Sequence, residues 1–416
     1  MHSSLDGVSG SRMPQELVEA VIDLVQDDRQ ALKACSLTSR RWTHRSREHL
    51  HKTVTIKLCA SDLSIPRQRF KRIWALCTLP GITEYAREVH LCGLSKRVAG
   101  QLPGQEAPRE VQHTPEELFW FVLGHFKHIS SLIVSHLSFH IFTREQKDRL
   151  WTAFPLVKRL ILKSTNFQNG EDFVSYLAQL PLLSRLSMRS VHWFDADLPA
   201  SSMALLPGNT PGSNLSSLEL CHGSSKEINC LASWLGALMS PRVESLHIIH
   251  PLGDLNGLSS LYRAIGSPLK HLSLVVDPDS RLDQAATDLI TNDHIQSIVF
   301  DSLAMIMVDV VRAWRWILTI LQKISPAELR AIRFQFCAED MVHPLLGELD
   351  SLLSNPAFGC LAEVSFSFLV IGSSDVEVRA KTFEALTGAL PRVAERGILR
   401  LLQRPWDLHD RSLSFM

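Results

Sequence analysis

FPLVKRLILKS (154–164) and LPLLSRLSMRS (180–190) are two near copies of one stretch, offset by 26 residues in a chain of 416. Each contains the pattern apolar-x-x-apolar-x-apolar, and its last two apolar residues alternate like the inward residues of a short β-strand. The pattern recurs along the chain, with central apolar residues at 132, 160, 186, 218, 246, 272, 298, 332 and 364. Successive copies are 26 to 34 residues apart, and Leu399 and Leu401 form a degraded last copy.

A short strand followed by a helix, repeated at this spacing, predicts an α/β fold with a leucine-rich-repeat solenoid over residues 53–416. The asparagine of regular repeats is absent, so we expect an irregular solenoid. Residues 95–113 and 195–213, rich in Pro, Gly and Ser, are expected to form surface loops. Helices are predicted near 66–79, 114–126, 171–180, 231–239, 258–265, 282–290, 308–322, 342–353 and 376–390.

The N-terminal stretch MPQELVEAVIDLVQDDRQALKACSLTSRRWTHRSREHL (13–50) predicts three short helices. Pro14 suits a first helical turn, Asp27 is expected to cap the second helix, and Thr38 or Ser39 the third. The apolar residues of the first helix cover an arc of roughly 160°, wider than the ~100° stripe of a one-sided surface helix. About forty residues cannot fold alone and leave such a face in water. This module must therefore dock on the rest of the chain, on another protein or on both.

Residues 13–52 resemble an F-box. Met-Pro-Gln-Glu-Leu (13–17) stands where that family has Leu-Pro-x-Glu-Leu, and 35–42 stands where it has Cys-x-Leu-Val-x-Arg-x-Trp. The sequence of residues 31–37 is especially similar to that of F-box proteins of mushroom-forming fungi. The resemblance implies that the module binds the Skp-type adaptor of a cullin–RING (SCF-type) ubiquitin ligase. The contact residues that it implies are Met13, Pro14, Leu17, Ile22, Leu32, Cys35, Leu37 and Trp42.

On the predicted solenoid, residues beside the core positions face the concave surface. The candidates for contact with a target there are Lys163, Arg189, Glu219, His247, Arg333 and Gln335. They belong to a mixed polar and apolar set without a single charge sign, and such a surface suits a protein partner better than nucleic acid.

Composition argues against several other classes of protein. The 43 basic and 43 acidic residues balance, so no global field draws the chain to nucleic acid or an acidic membrane. Residues 1–12 lack the apolar region of a secretory signal and are expected to be disordered, and no apolar run is long enough to span a bilayer. The eight cysteines are scattered without a CxxC pair, which favours reduced thiols in the cytoplasm or nucleus.

Catalytic and metal-binding motifs are missing from the sequence. The closest histidine pairs, 125/128, 136/140 and 247/250, lack a companion cysteine or acidic cluster, and no P-loop, GxGxxG or GxSxG occurs. We therefore expect no enzyme activity, no cofactor and no metal site. Three hypotheses remain: a substrate-recruiting subunit of a ubiquitin ligase, a repeat scaffold outside any ligase, and, with no motif behind it, an enzyme built on the repeats.

Overall fold

The computed structural model describes residues 13–59, 77, 82–94, 115–194, 214–221, 225–238, 242–249, 256–275, 294–301, 310–324, 327–337, 343–369 and 376–404. The N-terminal segment 1–12, the predicted helices 66–79 (apart from residue 77) and 282–290, and the predicted loops lie outside these residues. The chain divides into two compact units, Met1–Leu137 with Ile141–Val157, and Ser138–His140 with Lys158–Met416. The division expected after residue 52 stays a prediction.

The first unit contains the three predicted N-terminal helices and three parallel strands. Its described helices are α1 (Gln15–Leu24), α2 (Arg29–Thr38), α3 (Arg40–His51), α4 (Ile82–Tyr85), α5 (Pro115–Leu123) and α6 (Arg144–Thr152). Its strands β1 (Thr53–Cys59), β2 (Glu88–Leu94) and β3 (Ser131–Ser135) pair in that order. Helix α6 was not predicted, although Thr143 and Gln146 form a complete capping box at its start.

The three N-terminal helices pack around a small core of their own. Val18, Ile22 and Leu32 are buried at its centre, and Trp42 and Leu50 of α3 pack against them. The cap of α2 differs from the prediction by one residue. The carboxylate of Asp28, rather than Asp27, accepts hydrogen bonds from the N–H groups of residues 30 and 31. Ser39 occupies the N-cap position of α3, but its side chain makes no capping hydrogen bond.

In the second unit parallel strands follow one another in chain order, and the structure describes a helix between most neighbouring strands. Its main strands are β4 (Arg159–Lys163), β6 (Arg185–Arg189), β8 (Ser217–Cys221), β9 (Ser245–Ile249), β10 (His271–Val275), β11 (Ser297–Asp301), β12 (Ala331–Cys337), β13 (Glu363–Leu369) and β14 (Leu399–Arg404). Short strands β5 (Asn166–Phe167) and β7 (His192–Trp193) form a second sheet. Its helices are α7 (Gly170–Leu177), α8 (Ser225–Ala237), α9 (Asn256–Ile265), α10 (Val310–Lys323), α11 (Leu346–Leu353), α12 (Val376–Ala389) and α13 (Pro391–Glu395).

The register of these strands confirms the repeat. Residues that the pattern placed at equivalent positions are partners across neighbouring strands, as in the row Leu160, Leu186, Leu218, Leu246, Leu272, Ile298, Ile332, Val364 and Leu399. Every member of this row is buried. Consecutive parallel strands joined by helices, with the leucine-type positions stacked inside, make a leucine-rich-repeat α/β fold.

Aromatic side chains fill the core of the later repeats. Phe300, Phe334 and Phe366 stack along three adjacent strands, with ring centroids 5.6 Å and 4.9 Å apart. Trp314 of α10 lies against Phe334 at 5.5 Å. These large rings stand where β4 to β10 have leucine, isoleucine or methionine, so the strand and helix layers are joined there by aromatic packing.

Candidate partner-binding surfaces

Helix α1 is apolar on two sides, and only one of them is covered. Its inner side places Val18 and Ile22 in the module core. On its outer side an exposed row of apolar residues, spaced four, four and three positions apart, lies along the helix; we call it the α1 stripe. Its members are Met13, Leu17, Val21 and Leu24, with exposed fractions of 48%, 55%, 40% and 86%. The wide apolar arc seen in the sequence is thus split between a core and an exposed stripe.

The residues implied by the F-box resemblance divide between surface and core. Met13, Pro14, Leu17 and Leu37 are exposed, and Leu37 on α2 is 87% exposed. Cys35 and Trp42 are half-buried.

Ile22 and Leu32 require a correction. They are 0% and 2% exposed because they point into the three-helix core, so they support the module and do not present a surface.

Asp23 links the inner side of α1 to α3. Its carboxylate accepts hydrogen bonds from Arg45 at 2.6 Å and 2.8 Å, and His49 Nε2 lies 2.7 Å from the same group. The Arg45 guanidinium, followed by His49, lowers the pKa of the Asp23 carboxyl to about 2. This bidentate pair ties α1 to α3 and adds to the apolar packing that orients the α1 stripe. Sequence reasoning missed Asp23, because its spacing from Arg45 matches no motif and the pair is visible only in the fold.

The module is also attached to the first strands. The carbonyl of Lys52 accepts hydrogen bonds from the N–H groups of Arg87 and Glu88, at 2.9 Å and 3.0 Å. The rings of His44 and Tyr85 meet edge to face at 5.2 Å. These contacts join α3 to α4 and β2 without involving the α1 stripe.

The second unit presents a sheet face on which side chains alternate with the core positions. We call it the open face. Among the predicted target-contact residues, Lys163, Arg189, Glu219 and His247 are half-buried there, Arg333 is exposed, and Gln335 is buried. Arg189 makes an ion pair with Glu219 at 2.6 Å, and Arg333 donates to Ser365 at 3.3 Å. Burial leaves Gln335 little surface for a partner.

Two residues of the open face were missed at the sequence level. Arg159 and Arg185 begin β4 and β6, are both exposed, and are direct partners in the register. They share a face with Lys163 and Arg189 because side chains of a strand alternate. The alternation was the signal that could have identified them.

Cys221 and Cys230 are buried cysteines of the second unit. Burial raises the pKa of the Cys221 thiol to about 11 and that of Cys230 to about 12, so these thiols are protonated at neutral pH. Within the described residues, no cluster of three or more His, Cys, Asp or Glu side chains could hold a metal ion. In the same residues no helix is both long enough and apolar enough to cross a membrane.

No protein-family model and no curated protein matches the chain. The leucine-rich-repeat-containing protein LegL7 from Legionella pneumophila aligns with a TM-score of 0.47 and 16% identity, covering 80% of this chain and 98% of that chain. A chain of the complex of Rad7 and Elc1 in yeast aligns with a TM-score of 0.37 and 14% identity, covering 91% and 86%. A leucine-rich-repeat protein of Leptospira interrogans gives 0.20 and 13%, covering 68% and 80%. Because each TM-score is below 0.5, the fold assignment rests on the strand order and register of this chain.

Proposed function

We propose that this chain is a substrate-recognition subunit of a cullin–RING ubiquitin ligase of the SCF type. In this proposal the N-terminal module binds a Skp-type adaptor, and through it a cullin, while the open face holds a protein target. The chain makes and breaks no bond itself; it raises the local concentration of the target's lysines near the ubiquitin-carrying enzyme. Such a role places it in the cytoplasm or the nucleus.

The α1 stripe is the observation that carries the proposal. Leu17 and Leu24 remain more than half exposed although the module already has a core and is already attached to β2. A row of exposed large apolar side chains indicates a surface for a partner, because removing apolar surface from water on docking is favourable. The F-box resemblance of residues 13–17 and 35–42 supports an adaptor as that partner.

A repeat scaffold outside any ligase is the second candidate. The hydrogen bonds of Lys52 and the contact of His44 with Tyr85 favour it, because terminal caps of repeat proteins shield the first repeat in this way. A capping role accounts for the contacts of α3, but it does not explain why the apolar α1 stripe is exposed.

A binding assay with the purified full chain and its Skp-type adaptor separates the two candidates. We expect the wild type to bind, and Leu17→Asp/Val21→Asp to lose binding because two carboxylates would be buried against an apolar partner. Leu182→Asp provides a matched control, since Leu182 is 38% exposed in the second unit. It should bind like the wild type.

Melting curves show whether a variant that fails to bind the adaptor is still folded. Both stripe positions are exposed, so the double variant should unfold at the temperature of the wild type. A well-folded wild type that binds no Skp-type adaptor would contradict the proposal and leave the scaffold.

A further inference from the structure

Four cationic side chains gather on the open face where β4 and β6 lie side by side. Arg159 is the register partner of Arg185, and Lys163 is the partner of Arg189. Neighbouring strands are about 4.8 Å apart, so each pair places two positive charges directly across from one another. Like charges in this position are unfavourable for the sheet. We call this group, Arg159, Lys163, Arg185 and Arg189, the basic patch.

The two exposed arginines of the patch have no opposing charge paired with them among the described residues. Glu219 of β8 forms its ion pair with Arg189 at 2.6 Å and offsets one of the four charges. The side chains of Arg159 and Arg185 are exposed and make no hydrogen bond or ion pair with any residue that the structure describes. The chain as a whole has no net charge, so the pairing of Arg159 with Arg185 is a local feature of these two strands.

A buried hydroxyl lies in the middle of the basic patch. Ser187 stands between Arg185 and Arg189 on β6, with Ile161 and Glu219 as its register partners. It is 6% exposed, and its Oγ has no hydrogen-bond partner among the described residues. A buried hydroxyl without a partner is costly, and it can donate to an anion once the long arginine side chains around it rearrange.

We infer that the basic patch, with Ser187 at its centre, binds an anionic segment of a protein partner. Arginine recognises carboxylates and phosphates through paired N–H donors, and the hydroxyl supplies a further donor. Both a run of acidic residues and a phosphorylated side chain offer this chemistry. The inference rests on the proposed function, because it names the class of target segment that the open face would take.

Fluorescence anisotropy of labelled peptides with the full chain tests the inference. The probes are a peptide containing four consecutive glutamates, the same peptide with a single phosphoserine instead, and a version with four lysines. An oligouridylate of twelve nucleotides is the fourth probe. We expect one or both anionic peptides to bind, with affinity falling as salt rises, and the lysine peptide not to bind. The two anionic peptides distinguish a carboxylate source from a phosphate source.

Variants locate the binding. Arg159→Gln/Arg185→Gln should weaken binding of the anionic peptide about tenfold, and Ser187→Ala should weaken it several-fold. The matched control Lys226→Gln/Arg315→Gln removes the same charge from exposed positions on α8 and α10 and should leave binding unchanged. Removing the like-charge pair should also leave the melting temperature equal or higher, which a merely structural role of these arginines does not predict.

Three results would overturn the inference: no binding of either anionic peptide, equal binding by the two double variants, or tighter binding of the oligouridylate than of the peptides. The adaptor assay is independent of all three. Loss of peptide binding with intact adaptor binding removes this inference alone. Peptide binding without adaptor binding removes the ligase proposal and leaves a scaffold with an anion-binding face.

Discussion

The backbone of a neighbouring segment leaves room only for glycine at position 93. Gly93 lies near the end of β2, and a Cβ atom built there would be 2.0 Å from the carbonyl oxygen of His136. His136 itself has a positive φ of 55° directly after β3. A side chain at Gly93 would therefore collide with backbone that is already in an uncommon conformation.

We expect Gly93→Ala to lower the free energy of unfolding by about 2 kcal/mol or more, since backbone must move to admit the methyl group. Gly347→Ala is the control, because Gly347 lies in α11 with nothing within 4 Å of its Cβ position. Alanine there should be neutral or stabilise by up to ~1 kcal/mol. Urea unfolding of both variants checks this, and equal stabilities would show that the strand end relaxes freely.

The candidate adaptor surface could be predicted at the level of the helix but only partly at the level of the residue. The apolar arc of α1 indicated a docking helix, yet the sequence could not say which apolar residues face inward. Ile22 and Leu32 are core residues, whereas Leu24, absent from the predicted set, is 86% exposed. The choice depends on how α1 rotates against α3, and that rotation involves contacts between residues distant in the sequence, such as the Asp23–Arg45 pair, 22 positions apart.

At the scale of elements, that pair joins α1 to α3 in addition to their apolar packing. Asp23→Asn should loosen α1 and lower stability by about 0.5–1 kcal/mol, a modest cost because both side chains are partly exposed. Faster amide exchange of α1 in hydrogen–deuterium exchange is the expected sign. Asp27→Asn, at an exposed carboxylate without such a partner in the described residues, should exchange like the wild type. Equal exchange in the two variants would mean that apolar packing alone orients α1.

The pH dependence of the same pair has a definite sign. The folded-state pKa of Asp23, about 2, is below its ordinary value of 3.8, so folding favours the ionised form. Its contribution is present above about pH 4 and is lost as the pH falls towards 2. The stability difference between wild type and Asp23→Asn in urea should therefore shrink over that range.

The aromatic stack joins strands β11 to β13. Phe334 is fully buried between Phe300 and Phe366 and also touches Trp314. Phe334→Ala should cost about 3–5 kcal/mol because it leaves a cavity among rings that cannot all shift into it. The control Phe383→Ala removes a side chain that is 41% exposed on α12 and should cost less than ~1 kcal/mol. Comparable losses in thermal unfolding would contradict this view of the core.

The strands were more predictable than some of the helices for a physical reason. Each strand buries two residues of a fixed pattern, so the pattern predicts where the strand lies. The degraded copy at Leu399 and Leu401 forms β14. Helix α6 buries only Leu150 and Trp151 in an otherwise polar stretch. Its apolar period is too weak to recognise, and its capping box was the better signal.

At the scale of the whole molecule, the proposal assigns different partners to the two units. The α1 stripe is apolar and suits a constant adaptor, whereas the open face combines charged and small polar residues and suits a selected target. The two sites should therefore be separable by mutation. Leu17→Asp/Val21→Asp should retain anionic-peptide binding, and Arg159→Gln/Arg185→Gln should retain adaptor binding.

Hydrogen–deuterium exchange of the full chain with and without its Skp-type adaptor tests the central claim most directly. We predict slower exchange on adaptor binding in α1 and in the part of α2 around Leu37, with strands β4 to β14 unchanged. A folded chain whose α1 exchanges equally fast with and without the adaptor, or whose protection falls on the open face instead, would contradict the account.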